Sequence, residues 1–441
     1  MLEKQTTENQ LKKELGFFSA IMLVIGMVIG SGIFMKPGKV IAAAGDSTQA
    51  LIAWGLGGLI TLAAGLTIAE LGAQIPKTGG LYTYLREVYG KVIGYLFGWM
   101  QTIVYGPATI AALGLYFSSL CIPFLDLPEF YKTPLTAAVL IFLTAMNALG
   151  SKYGGAIQTA ATIGKLVPIV LIALCGILTG TGNVLAMPSG LSSASGMGTA
   201  VLATLWAYDG WIGVTYVAGE MKNPARELPK AIFLGLGIVI AAYLFVNLAL
   251  LKLFSAADIV AFGTKAAGQA AIVLFGNYGG LLINLGILVS VFGALNGYIM
   301  TNARVPFAMA QQNQLPGASV LKKVHPKWGS PVNAGCFQLI MAVGFVMAGD
   351  PDRLTDLAMF AIWLFYILAF LAVIILRCRK GSSHLTYRVP LYPIVPLIAI
   401  LGSIYIVGST LVSSTTDCLY SIGVTCLGIP VYFWLKRRDN A

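Results

Sequence analysis

Apolar stretches, most of them about 20 residues long, follow one another from residue 16 to residue 435, separated by polar joints. Twelve stand near 16–40, 50–73, 92–120, 133–149, 156–180, 197–219, 229–253, 280–305, 332–349, 355–377, 391–413 and 417–435. At about 1.5 Å per residue, stretches of this length cross a hydrocarbon layer as helices. Transmembrane strands would instead alternate in segments of about ten residues, and that alternation is missing. Helices also satisfy their own backbone in lipid, which only closed barrels otherwise manage. The pattern therefore predicts an all-α membrane protein with twelve transmembrane helices. The eighth helix is expected to continue past the membrane through Asn302 to Gln312.

Composition agrees. Of 441 residues, 57% are hydrophobic and only 10% are charged, too few charges to cover a water-soluble surface. The six cysteines (Cys121, Cys175, Cys336, Cys378, Cys418 and Cys426) form no CxxC pair, and five lie in or beside apolar runs, so they read as small core residues. His325 and His384 fall in polar loops without ligand spacing, so no metal is expected. No cofactor is implied, no G-x-x-x-x-G-K-[ST] run is present, and no catalytic constellation points to an enzyme. The polar start, Met1 to Lys13, leads straight into a full-length apolar run, so no cleaved signal peptide is expected.

The net charge of +11 would suit nucleic acid, but its distribution argues for topology instead. With an even number of spans, 21 lysines and arginines fall on the side of both termini and six on the other, with Lys165 within a span. The positive-inside rule puts both termini in the cytoplasm. A cell-membrane protein with no nucleic-acid role is expected.

Two spans are interrupted. Gly30-Ser31-Gly32 breaks the first and Ala207-Tyr208-Asp209-Gly210 breaks the sixth. They lie five spans apart, so they match if spans 1–5 (16–180) and 6–10 (197–377) are two repeats, the second inverted. Spans 11 and 12 (391–435) lie outside the repeat, with short tails at 1–15 and 436–441. Broken helices at matching positions point to a binding site near the bilayer midplane.

The residues at the breaks suit a zwitterion. In Val28-Ile29-Gly30-Ser31-Gly32-Ile33-Phe34, two glycines favour unwinding, and the freed amides at a helix start make a carboxylate site. Close helix packing through the Gly26 and Gly30 spacing is the alternative. In Thr204 to Trp211, the carboxylate of Asp209 stands inside an apolar run, where it is costly and so a functional candidate. Carbonyls there could take a substrate ammonium, with Trp206 and Tyr208 closing over the ligand; an interfacial aromatic belt is the alternative. Lys165 is alone in its run, about nine residues from the cytoplasmic end. It either snorkels to that interface or places its ammonium where a coupling cation would sit, bridging carbonyls of the unwound first span. Glu70, the 74–84 loop and the 220–229 joint either line an inner gate or serve as ordinary caps. Asn296 and Tyr298 are polar groups deep in span 8 that could face the pathway.

Val28 to Phe34, Pro76-Lys77-Thr78-Gly79-Gly80, Trp206 to Gly210 and Glu220 to Pro224 resemble signatures of the amino acid–polyamine–organocation superfamily. Lys165 and Ala207 to Trp211 are similar to the L-amino-acid transporter family within it, above all its bacterial serine/threonine and alanine–serine–cysteine exchangers. The resemblance covers nearly the whole chain. It implies a LeuT-type fold of five plus five inverted helices, with broken helices 1 and 6, and sodium-independent exchange by alternating access. Substrate carboxylate would meet the amides of Ser31, Gly32 and Ile33. The ammonium would meet carbonyls near Val28, Trp206 and Asp209. Trp206 matches the aromatic gate, and Lys165 matches the lysine near the ion site of sodium-coupled relatives. Tyr298 matches a pocket aromatic. Animal members pair with a heavy chain through a cysteine after span 3; Cys121 lies within the helix end instead, so a subunit working alone, as a monomer, is expected.

The expected substrates are small neutral L-amino acids, namely alanine, serine, threonine and cysteine. The open alternatives are a proton-coupled symporter, with Glu70, Asp209 or Lys165 titrating, and a channel or membrane-embedded amino-acid sensor.

Overall fold

The computed structural model describes residues 11–182, 184, 196–380, 386–413 and 415–439. The first ten residues of the N-terminal tail, His384 and the last two residues of the C-terminal tail lie outside them. The helices in chain order are α1 (Phe17–Val28), α2 (Gly32–Met35), α3 (Pro37–Ala44), α4 (Ser47–Gln74), α5 (Leu81–Tyr89), α6 (Lys91–Met100), α7 (Gly106–Phe124), α8 (Lys132–Ala148), α9 (Ser151–Thr179), α10 (Gly196–Ala207) and α11 (Gly213–Tyr216). They continue as α12 (Pro224–Leu253), α13 (Ala256–Phe262), α14 (Ala266–Phe275), α15 (Asn277–Asn302), α16 (Arg304–Gln311), α17 (Ala318–Leu321), α18 (Val332–Ala348), α19 (Pro351–Lys380), α20 (Ile394–Ser413), α21 (Thr415–Cys426) and α22 (Gly428–Asp439). Among the described residues there is no strand, only a bridge pairing Leu15 with Met221.

Among the described residues, ten helical stretches are long and apolar enough to cross a membrane. Nine coincide with expected spans. The other three expected spans, 133–149, 197–219 and 332–349, correspond to shorter helices: α8, α10 followed by α11, and α18. The tenth long stretch, α13 with α14, was expected to be a connection. It is apolar enough by composition, but it bends at Gly263 between two short helices. The Ser255 and Asp258 capping box starts the first of these.

Neither the first nor the sixth span is a continuous helix. At the first, the Gly30 amide turns back to the Val28 carbonyl at 2.8 Å instead of reaching Gly26, and α1 ends. At the sixth, α10 stops at Ala207 and α11 begins at Gly213, with Gly210 between them at a φ of +106°. That φ strains any residue with a Cβ. A Cβ there would also lie 3.0 Å from both the Met27 carbonyl oxygen and the Tyr298 hydroxyl.

Both breaks lie inside the bundle. α1 packs on α9, α12 and α15, while α10 packs on α3 and α4. A further irregularity faces the same region. Pro107 has no N–H for the Ile103 carbonyl, and residues Gln101–Tyr105 widen into a π turn. The Gly106 amide reaches back five residues to Gln101.

Two ion pairs, one buried and one partly buried, tie helices together toward the end that carries the N-terminal tail. Arg304 holds Glu220 through Nε at 2.7 Å and Nη2 at 2.9 Å, with Ser151 bonded to both side chains. The Leu15 amide donates to the Glu220 carbonyl at 3.0 Å, so the start of the chain is fastened to the same point. Arg377 of α19 holds Glu70 of α4 at 2.8 and 2.6 Å, and the Val389 amide adds a third bond at 2.7 Å.

Candidate functional site

The two breaks meet at a cavity lined by Met27, Val28, Gly30, Ser31, Gly32, Thr109, Leu113, Trp206, Ala207, Asp209, Ala294, Tyr298, Thr355, Ala358 and Met359. The broken helices touch here. A Cβ on Gly32 would come within 2.7 Å of the Ala207 Cβ and 2.8 Å of its Cα, so only glycine permits the approach.

One wall offers hydrogen-bond donors. The amides of Ser31, Gly32 and Ile33 donate to no acceptor among the described residues. The Ser31 hydroxyl is buried and unpartnered as well. Buried donors without acceptors are rare, because each forgoes its bond to water. Ser31 and Gly32 line the cavity, with Ile33 next in the chain, and these donors make a cradle for an anionic group.

The opposite requirement is met on the same cavity. Asp209 is 8% exposed. Its Oδ2 accepts from the hydroxyls of Tyr105 at 3.0 Å and Tyr298 at 3.3 Å, while Oδ1 is buried with no partner. Trp206 lines the cavity too, and the Lys36 ammonium lies 4.4 Å from its ring centroid. A donor cradle and a partnerless carboxylate oxygen on one cavity match the two ends of a zwitterion.

Lys165 stands behind the first break. α9 begins at Ser151, five residues before the expected start, so Lys165 lies about 21 Å along the helix. It cannot snorkel from there, and it is fully buried. Its ammonium instead donates to the carbonyls of Gly26 at 2.8 Å, Ile29 at 2.5 Å and Ser290 at 2.9 Å. The Gly26 carbonyl has lost its helical donor because the Gly30 amide bonds to Val28. The lysine replaces that donor.

Other expected site residues fall elsewhere. Val28, Gly30, Ser31, Gly32, Trp206, Ala207, Asp209 and Tyr298 line the cavity, whereas the Ile29 and Ile33 side chains are buried in the core. Tyr208 does not close over the cavity: its ring packs against Trp54 and Tyr243, and its hydroxyl donates to the Trp54 carbonyl at 3.2 Å. Asn296 also faces away, toward Asn147, Gly154 and Gln158. A buried amide finds its partners on α8 and α9, and these set its direction. Glu70 lines no part of the cavity and is held by Arg377 and Val389.

Sequence reading missed several contributors. The Tyr243 hydroxyl lies 3.0 Å from the Val28 carbonyl and 2.9 Å from that of Ala207, so one side chain joins both breaks. The Ser290 hydroxyl reaches the carbonyls of Ile29 at 3.1 Å and Gly30 at 2.8 Å. Tyr105 reaches Asp209 from the π turn. Each is a polar group inside an apolar run, which is a signal, but nothing local tells which way it points.

The amino acid permease family model matches residues 15–429. The chain belongs to the amino acid permease family. The permease is 49% identical to the serine/threonine exchanger SteT of Bacillus subtilis over 433 residues, 98% of this chain and 99% of that one. It is 32% identical to the human b(0,+)-type amino acid transporter 1, over 98% of this chain and 89% of that protein. It is 31% identical to the human large neutral amino acids transporter small subunit 2, over 96% and 80%. These relationships place it in the amino acid–polyamine–organocation superfamily, alongside L-amino-acid transporters. It is a multi-pass membrane transport protein, not an enzyme.

Proposed function

We propose that this permease is a sodium-independent exchanger of small neutral L-amino acids, namely alanine, serine, threonine and cysteine. The carrying observation is the pairing of unsatisfied amides at Ser31 and Gly32 with the free Asp209 oxygen on one cavity, the unsatisfied Ile33 amide following in the chain. Substrate carboxylate binds at the amides, and the ammonium binds at Asp209 and the carbonyls near Val28 and Trp206. The identity to a serine/threonine exchanger supports exchange and small polar substrates. The Lys165 ammonium occupies a cage of three carbonyls, the kind of site a coupling cation would use, which supports independence from sodium.

The chain works as twelve spans in a LeuT-type arrangement, five plus five inverted, followed by spans 11 and 12. Both termini are cytoplasmic, and the membrane is the plasma membrane. Alternating access exposes the cavity to each side in turn, and the Glu220–Arg304 pair parts when the tail-side end opens. The permease works without a heavy-chain subunit; its 49% identity to a bacterial exchanger of nearly the same length supports this.

The test is uptake of labelled alanine or serine into proteoliposomes without sodium or a pH gradient. Uptake is expected only in vesicles preloaded with unlabelled substrate. Uptake into empty vesicles driven by an inward proton gradient would establish symport and refute exchange.

A further inference from the structure

A second groove lies apart from the transport cavity, toward the end that carries the N-terminal tail. It holds about 610 Å³ of space and includes Leu66 of α4, Arg226, Lys230 and Phe233 of α12, and Arg388 and Pro390 of the segment before α20. Arg226, Lys230 and Phe233 are spaced four and three residues apart, so they share one face of α12. The two cations occupy its first turns, and Phe233 lies about 10 Å deeper than Arg226. Phe233 is 51% exposed. Leu66 lies about 12 Å from the nearer end of α4, so it too belongs to the deeper, apolar part.

The groove is therefore layered, with cations at its mouth and apolar side chains below. Among the described residues, Arg226, Lys230 and Arg388 take part in no ion pair. No aspartate or glutamate lines the groove. Glu70, four residues beyond Leu66 on α4, is already taken by Arg377 and the Val389 amide.

We propose that this groove binds an anionic phospholipid. Its phosphate meets Arg226, Lys230 and Arg388, and an acyl chain runs along Leu66 and Phe233. Basic pockets between membrane helices recognise acidic head groups in this way. The apolar depth has no use for a soluble anion. The absence of a lining carboxylate leaves nothing for a choline or ethanolamine cation. The lipid bridges α12 to the segment after α19. That segment is itself anchored to α4 through the Val389 bond to Glu70, so the lipid adds a second tie between it and the paired helices α4 and α12.

The test measures association of spin-labelled phosphatidylglycerol and phosphatidylcholine with the full-length protein in mixed vesicles. Phosphatidylglycerol is expected to associate more tightly, with each cation contributing about fivefold. The Arg226→Gln/Lys230→Gln/Arg388→Gln variant is expected to lose at least tenfold of that preference. The charge-retaining Arg226→Lys/Arg388→Lys variant is expected to keep most of it. Equal association of both lipids with the native protein overturns the proposal, as does a preference that the triple variant keeps. Displacement of labelled phosphatidylglycerol by millimolar inorganic phosphate also overturns it, in favour of a free-anion site. If the triple variant fails to fold, the native preference and the phosphate competition still decide.

Discussion

Replacing Lys165 tests the role of the cage behind the first break. Its ammonium bonds three carbonyls, but they do not depend on it equally. Ser290 lies within α15, whose backbone supplies its carbonyl with another donor, and Ile29 keeps the Ser290 hydroxyl. Gly26 keeps nothing, because the Gly30 amide is turned to Val28. A bond from a charged donor contributes roughly 1.5–3 kcal/mol. Lys165→Met therefore removes one such bond outright and weakens a second, for a total of about 3 kcal/mol, or roughly a hundredfold in an equilibrium. The disturbance falls on the segment that presents the amides of Ser31, Gly32 and Ile33. Alanine exchange in proteoliposomes should fall by that order, with the protein still monodisperse on size exclusion. Lys165→Ala should lose at least as much, because it also leaves a cavity. Flux and apparent affinity within twofold of the native protein in both variants would refute the cage as part of the transport machinery.

Gly32→Ala sets a Cβ within 2.7 Å of Ala207, so the breaks must separate and exchange should fall to background while protein yield is kept; near-native exchange would mean that the approach is not needed. Asp209→Asn keeps an acceptor for Tyr105 and Tyr298 but removes the charge, and the KM for alanine should rise about tenfold or more if the carboxylate holds the ammonium; an unchanged KM would place the ammonium elsewhere. Glu220→Gln strips the counter-ion from Arg304, whose side chain is 2% exposed, and should lower stability by about 3–5 kcal/mol. Thermal unfolding in detergent checks this, and an unaltered midpoint would show that its other acceptors, the Ser151 hydroxyl and the Met300 carbonyl, suffice for Arg304.

The class of the protein, most of its helices and both breaks were legible in the sequence. Apolar length is a local property, and so is a glycine pair or a lone carboxylate inside an apolar run. The bend of α13 and α14 was not read, because an apolar connection and a short span look alike in composition. Lys165 shows both sides of this. Its isolation in the run marked it, but its depth depended on where α9 begins, and its partners lie 125 to 139 residues away.

Direction was decided by the tertiary structure alone. Tyr208 and Trp206 are two residues apart in one interrupted segment, yet Trp206 lines the cavity and Tyr208 packs on Trp54 and Tyr243. Asn296 and Tyr298 diverge in the same way, one toward α8 and α9 and the other toward Asp209. Tyr243 joins both breaks from α12 without any motif to announce it. In a soluble helix, polar and apolar faces reveal which side is buried. In lipid nearly every face is apolar, so the rotation of each helix is set by packing and by the partners that buried polar groups must find.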